Sequence, residues 1–226
     1  MAWGMRNITL CIFGSSIMEG RIGADKASER WYNILQARLS ERFPEICFPI
    51  VNGAVGGEST RECMARFDRD VLAYNPDYCL FMIGGNNHDC ALPERILRDG
   101  ELEQLMAEFA ERLPKKTTPI GVIINPCVNE WHCVTKNPVF QEYLKQYGGL
   151  DEALEIERDK FRKFIRKHNW HSLDLYKLFE SDPGKYILHG DGIHLSKAGH
   201  ELFAVKMFEL MERAILNQNS DILIVS

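Results

Sequence analysis

Two stretches of the chain, "YCLFMI" at 78–83 and "IGVII" at 120–124, are apolar at every position. A strand with one wet face alternates apolar and polar residues, so an unbroken run of this kind needs cover on both sides. Parallel strands joined by helical crossovers meet that need, which makes these two runs predicted central strands of a parallel sheet between helical layers. Residues 8–13, 46–51 and 172–176 read as further strands. Between the strands lie stretches with apolar residues at helical spacing, predicting helices over 28–43, 59–73, 100–113, 151–168 and 196–216. Ser59-Thr60-Arg61-Glu62 is a capping box for the second of these, Pro114 closes the third, and Ser196 is an N-cap for the last. The expected fold class is α/β: a three-layer α/β/α sandwich around a five-stranded parallel sheet, most simply in the flavodoxin-like order.

In that architecture ligands bind at the carboxyl ends of the strands. Loops 14–20, 52–58, 84–90 and 125–150 are therefore expected around one cleft. The last of them, "NPCVNEWHCVTKNPVFQEYLKQYGGL", has weak periodicity and several aromatics. It reads as an insertion over the strand ends of a single domain spanning 1–226, with Trp131 the candidate substrate-binding residue beside Phe140, Tyr143 and Tyr147.

Bulk properties narrow the function. At 226 residues and 45% hydrophobic content the chain suffices for one large core, and its net charge of −5 comes without a basic run of the kind that tracks nucleic acid. No stretch approaches the roughly 18 apolar residues of a membrane helix. The opening "MAWGMRNITLCIFG" leads into a strand rather than a cleavable signal, so a cytoplasmic protein is expected. Seven cysteines without a CxxC pair read as reduced thiols.

Reactive residues follow the strand ends. Gly14-Ser15-Ser16 is by itself far more often a plain turn than a nucleophile loop. Gly56-Gly57, just before the capping box, lets backbone N–H groups approach a ligand or simply supplies a flexible turn. Asn86, straight after a buried strand, has a carboxamide that can donate to a developing oxyanion, although turn formation is its commoner role. In "HGDGIHLSKAGH", Asp191 and His194 are spaced so that one local turn can bring carboxylate to imidazole. Together they supply a nucleophile, oxyanion donors, a base and an orienting carboxylate on one rim of one sheet.

The ordered set Gly-x-Ser, a Gly-containing loop, Gly-x-Asn and Asp-x-x-His resembles the four sequence blocks of the GDSL or SGNH hydrolase superfamily and runs from Gly14 to His194. The resemblance implies a serine ester hydrolase with a Ser16–His194–Asp191 triad and an oxyanion hole built from the backbone N–H groups of Ser16 and Gly57 and the Asn86 side chain. It calls for no metal and no organic cofactor. The implied partner is a small-molecule acyl ester, and the family's range favours a small acyl group, such as acetyl, on a carbohydrate or other small alcohol. A thioesterase, a lysophospholipase or an acyltransferase would use the same triad. Ser15 and Asn87 stand where many relatives have Asp, and Leu195 where some have Pro.

Other readings fit less well. Glu19 breaks a Walker A spacing, and neither G-x-G-x-x-G nor G-x-S-x-G occurs in these loops. A non-catalytic anion-binding module would have no use for Asp191 and His194. His88, Cys90, Cys127, His132 and Cys133 are spaced too irregularly for a metal site and read as loop or core residues, while His200 is the one candidate for a backup base.

Overall fold

The structure, a computed structural model, describes residues 5–224. Its main sheet contains β1 (Leu10–Phe13), β2 (Ile50–Asn52), β3 (Tyr78–Phe81), β4 (Thr118–Ile123) and β5 (His171–Asp174), all parallel, in the order β2-β1-β3-β4-β5. This is the flavodoxin-like order expected from the sequence. The main helices are α1 (Ser16–Glu19), α2 (Trp31–Arg42), α3 (Thr60–Ala65), α4 (Glu101–Arg112), α5 (Pro138–Leu144), α6 (Leu150–His168) and α7 (Lys197–Ile224).

Alternation within the apolar runs builds a core on each face. Leu10, Ile12, Leu80, Ile120 and Val122 point to one side, where Trp31, Leu35 and Leu39 of α2 and Phe203, Met207 and Met211 of α7 cover them. Cys11, Phe13, Cys79 and Phe81 point to the other, under Met64, Phe67, Phe109, Phe161 and Ile165 from the remaining layer. Phe81 stacks on Phe109 with ring centroids 4.3 Å apart, and Trp31 on Phe203 at 4.2 Å. Each such ring removes on the order of 150–250 Å² from water, which explains why both sides of every central strand are apolar.

Two expectations are corrected in detail. The strand predicted at 46–51 is split: Ile46–Cys47 pairs with Arg6–Asn7, and only Ile50–Asn52 joins the main sheet. Pro49, which has no N–H to give a ladder, sits at the break. The helix predicted at 59–73 begins with its capping box, Ser59 and Glu62 bonding reciprocally, but is interrupted at Arg66 before Phe67–Asp70 continues the turn. At that point the Arg66 guanidinium is drawn away to Glu58 and the Gly53 carbonyl, each at 2.6 Å. The seven cysteines are free thiols. No helix among the described residues is long and apolar enough to cross a membrane.

The strand ends are fastened to one another. Gly14 has φ +137°, and a Cβ there would lie 2.3 Å from the Met82 carbonyl oxygen, so only glycine lets the first loop pass this close to β3. The Gly14 carbonyl accepts from Val55 N–H at 3.0 Å, joining the first loop to the second. Beyond β4, the fully buried Arg158 of α6 donates to the carbonyls of Ile124, Asn125 and Asp151 and pairs with Asp151 and Glu155. It also lies over the Tyr176 ring, 4.4 Å from its centroid.

Replacing Arg158 strands several buried acceptors at once. Arg158→Ala is expected to lower unfolding free energy by about 3–5 kcal/mol in denaturant titration, and Arg158→Lys to recover only part of it because one ammonium cannot span this fork. A loss below about 1 kcal/mol for Arg158→Ala would show that these bonds contribute little.

Candidate active site

β1 delivers the loop that carries Ser15 and Ser16. Ser15 is the N-cap of the single-turn helix α1 and Ser16 its first residue, with Glu19 N–H donating to the Ser15 carbonyl at 2.9 Å. This turn buries Ser15 and leaves Ser16 partly exposed on a cavity of about 310 Å³. Ser15 also lines this cavity, but at 8% exposure it is the more buried of the two.

The second and third loops meet opposite Ser16. Gly57 and Asn86 both line the cavity, and the Asn86 side-chain N–H₂ donates to the Glu58 carbonyl at 3.0 Å. A carboxamide carries two donors, so one holds the neighbouring loop while the other remains for a ligand. Gly56 lies closer still to the nucleophile: a Cβ there would be 3.6 Å from that of Ser16 and 2.9 Å from a Glu19 carboxylate oxygen.

The turn at "HGDGIH" brings Asp191 and His194 together. His194 Nδ1 is 2.9 Å from each Asp191 carboxylate oxygen, and the backbone N–H groups of His194 and Ile193 donate to Oδ1 at 2.6 and 3.1 Å. Burial pushes the Asp191 carboxyl up, but hydrogen bonds from the His194 ring and backbone and from Ile193 outweigh it and hold the group down at about 2. With Nδ1–H directed to an ionised carboxylate, Nε2 carries the lone pair on a residue that lines the cavity. Gly192, at φ +84°, lets this turn approach the insertion so closely that a Cβ would lie 2.6 Å from His132 N. Val128 N–H closes the contact on the Gly192 carbonyl at 2.7 Å.

The segment 125–150 lines the cavity through His132, Val134 and Phe140, with Leu150 and Leu154 at the start of α6 continuing the lining. Trp131 does not. Its ring packs on His189 at 4.6 Å between centroids, outside the cavity lining, and the expectation that it binds substrate is corrected. His200 is likewise no backup base: it is buried, accepts from Trp31 N–H at Nδ1 and meets the Ile22 carbonyl with Nε2 at 2.9 Å, so both ring nitrogens are engaged.

Several cavity residues escaped the sequence reading. Glu19 lies beside Gly56 and pairs with Arg21 at 3.1 Å. His132, considered only as a metal ligand, accepts from Val134 N–H at Nδ1, and its acidity is shifted by burial toward the neutral ring. His88 also lines the cavity, buried and held near 4 chiefly by desolvation. Among the described residues no three His, Cys, Asp or Glu side chains gather as a metal site. Spacing from a nucleophile marks none of these three residues, so no pattern search would have found them.

Comparison with known proteins fits this geometry. Residues 12–202 match the GDSL-like Lipase/Acylhydrolase family, and the chain belongs to it. It is thus a carboxylic ester hydrolase. Similar solved structures include an alpha/beta hydrolase enzyme from the metagenome of Lake Arreo, with 22% identity, TM-score 0.66 and coverage of 90% of this chain and 94% of that one. A lipase/acylhydrolase from Enterococcus faecalis has 21% identity, TM-score 0.66 and coverage of 91% and 94%. An acetylxylan esterase from Geobacillus stearothermophilus has 18% identity, TM-score 0.64 and coverage of 91% and 93%. These likenesses are of fold. The sequence matches none of the curated proteins.

The Asp191 carboxyl is depressed in the folded state, so its contribution to stability is complete above about pH 4 and is lost as the pH falls through about 2. Asp191→Asn should therefore flatten the loss of melting temperature over that window. It should also cut kcat by about 10⁴ by favouring the wrong imidazole tautomer. Wild-type kcat in this variant would remove Asp191 from the reaction.

Proposed function

We propose that this esterase works through an acyl-enzyme formed on Ser16. His194 Nε2 takes the Ser16 proton as Oγ attacks the ester carbonyl carbon, and Asp191 stabilises the imidazolium. The carbonyl oxygen, now negative, accepts from the backbone N–H groups of Ser16 and Gly57 and from the free Asn86 N–H. Collapse expels the alcohol, which takes the proton from His194, and water repeats the cycle to release the acid and restore Ser16. The observation that carries this reading is the doubly hydrogen-bonded Asp191–His194 pair on the same cavity as Ser16 and Asn86. An anion cradle would need no such pair.

The cavity lining mixes polar residues, Ser16, Glu19, Asn86, Asp89, His132 and His194, with apolar ones, Met82, Ile124, Phe140, Leu150 and Leu154. With the ester carbonyl at Ser16, the apolar residues take the acyl group and the polar ones a hydroxyl-bearing alcohol. The proposed substrate is a small acyl ester, such as an acetyl ester, of a carbohydrate or other small alcohol. The acetylxylan esterase fold neighbours agree with it. One observation favours a second reading, a longer acyl chain as in a thioesterase or lysophospholipase. The apolar wall is more extensive than a single methyl group requires.

A panel of esters of increasing acyl length decides between them. Wild type should prefer the shortest members, and Phe140→Ala should raise relative kcat/KM for longer ones by about fourfold per methylene newly buried, from ~0.8 kcal/mol each. A wild-type optimum at long chains supports the second reading, and an equal loss across the panel means that Phe140 is not an acyl wall. Asn86→Ala should lower kcat by about 10²–10³ for every member, since it removes an oxyanion donor. Undiminished kcat would place the oxyanion elsewhere.

A further inference from the structure

Beneath the third loop lies a buried polar group that the proposed reaction does not use. Glu157, on α6, is buried, and its Oε2 accepts from the Asn87 side-chain N–H₂ at 3.3 Å. The other end of that carboxamide, Oδ1, accepts from Thr60 N–H at 3.0 Å. Asn87 is 2% exposed, so both bonds are made away from water. Thr60 is the first residue of α3, three positions after Gly57, and Asn86 N–H₂ donates to the Glu58 carbonyl one position after Gly57. The third loop thus grips the second on both sides of Ser59, and α6 holds the grip from below.

We propose that Glu157 and Asn87 form a latch that sets the spacing between the two loops bearing oxyanion donors, which makes them positioning residues for the hydrolysis. The inference rests on the acyl-enzyme reading for its effect on turnover. Residue 87 must face a donor and an acceptor at once: the Thr60 N–H on one side, the Glu157 carboxylate on the other. A carboxamide does both, whereas an ionised carboxylate only accepts. An Asp at 87 would answer the Thr60 N–H equally well but set two buried carboxylates against each other. An amide at 87 is therefore matched to an acid at 157.

The surroundings strengthen this constraint. Burial pushes the Glu157 carboxyl above the usual carboxylate range, against the opposing pull of Lys160 and of the Asn87 bond, with Glu103 of α4 adding to the rise. His88 Nε2 stands 3.6 Å from Oε1 without a hydrogen bond, and Tyr143 of α5 occupies His88 Nδ1 at 3.1 Å. Desolvation keeps His88 neutral, so it brings no charge to compensate a second carboxylate. Lys160 supplies the opposing cationic charge at Glu157, and it is already shared with Glu103 at 3.5 Å.

The test compares wild type, Asn87→Asp and the double variant Asn87→Asp/Glu157→Gln, reading kcat, KM and melting temperature from pH 5 to 9. In Asn87→Asp the two acids share one proton at low pH and repel once it is lost, so kcat should fall with rising pH to at least about tenfold below wild type, with KM changed less than about threefold. Its melting temperature should fall over the same range. The double variant restores a donor facing an acceptor and should abolish both pH-dependent losses. A constant kcat deficit across the range, or a double variant no better than Asn87→Asp, would overturn the latch. A melting temperature that follows pH while kcat does not would make the pair structural and overturn its positioning role. Should wild type hydrolyse no ester at all, the esterase reading fails and with it the positioning claim, while the melting curves still decide the pairing of 87 with 157.

Discussion

Parallel strands buried on both faces can be joined only by crossovers that return over a face, and this constraint sends each loop that follows a strand to the same edge of the sheet. Ser16, Gly57 and Asn86 stand on three such loops, after β1, β2 and β3. His194 reaches the edge differently, from a turn before α7 that is bonded to the loop after β4 through Val128 N–H and through Asn125, whose carboxamide donates to the Ile193 carbonyl at 2.7 Å. Residues almost the whole chain apart in sequence thereby share one cavity. The close passage of Gly14 over Met82 and the Arg158 fork under β4 are what hold that edge together.

Within the cavity the two halves of the proposed chemistry are supported separately. The base half is local: Asp191 receives its three bonds from Ile193 and His194, so its orientation depends on a single turn. Burial alone would favour the protonated acid, and the three donors reverse that preference. The oxyanion half is non-local. Its donors come from different loops, and their separation depends on contacts from Asn86 and Asn87 to the segment around Ser59 and from Glu157 on a distant helix.

This division explains what could be read from the sequence. The central strands were legible because runs such as Leu10–Phe13 and Tyr78–Phe81 are apolar throughout. The Asp191–His194 pair was legible because a local turn imposes a fixed spacing between the two residues. Arg158 and Glu157 were not, since a charged residue on a helix is ordinarily solvated and only the packing of α6 against the strand ends buries these two. Within 125–150 the sequence does not rank the aromatic residues. Aromatic content drew attention to Trp131, while the wall is made by Phe140, which lies on the inward face of α5. His200 failed as a base for a related reason, because its proximity in sequence to His194 says nothing of the Trp31 and Ile22 backbone groups that claim its nitrogens.

The central claim is that Ser16 becomes acylated. Mixing the protein with an activated acetyl ester, quenching in acid within milliseconds and mapping the modified peptide by mass spectrometry measures this directly. The account predicts one acetyl group per chain on Ser16, formed in a burst before steady turnover and absent from Ser16→Ala. Modification at Ser15, or turnover with no covalent adduct and no loss in Ser16→Ala, would contradict it.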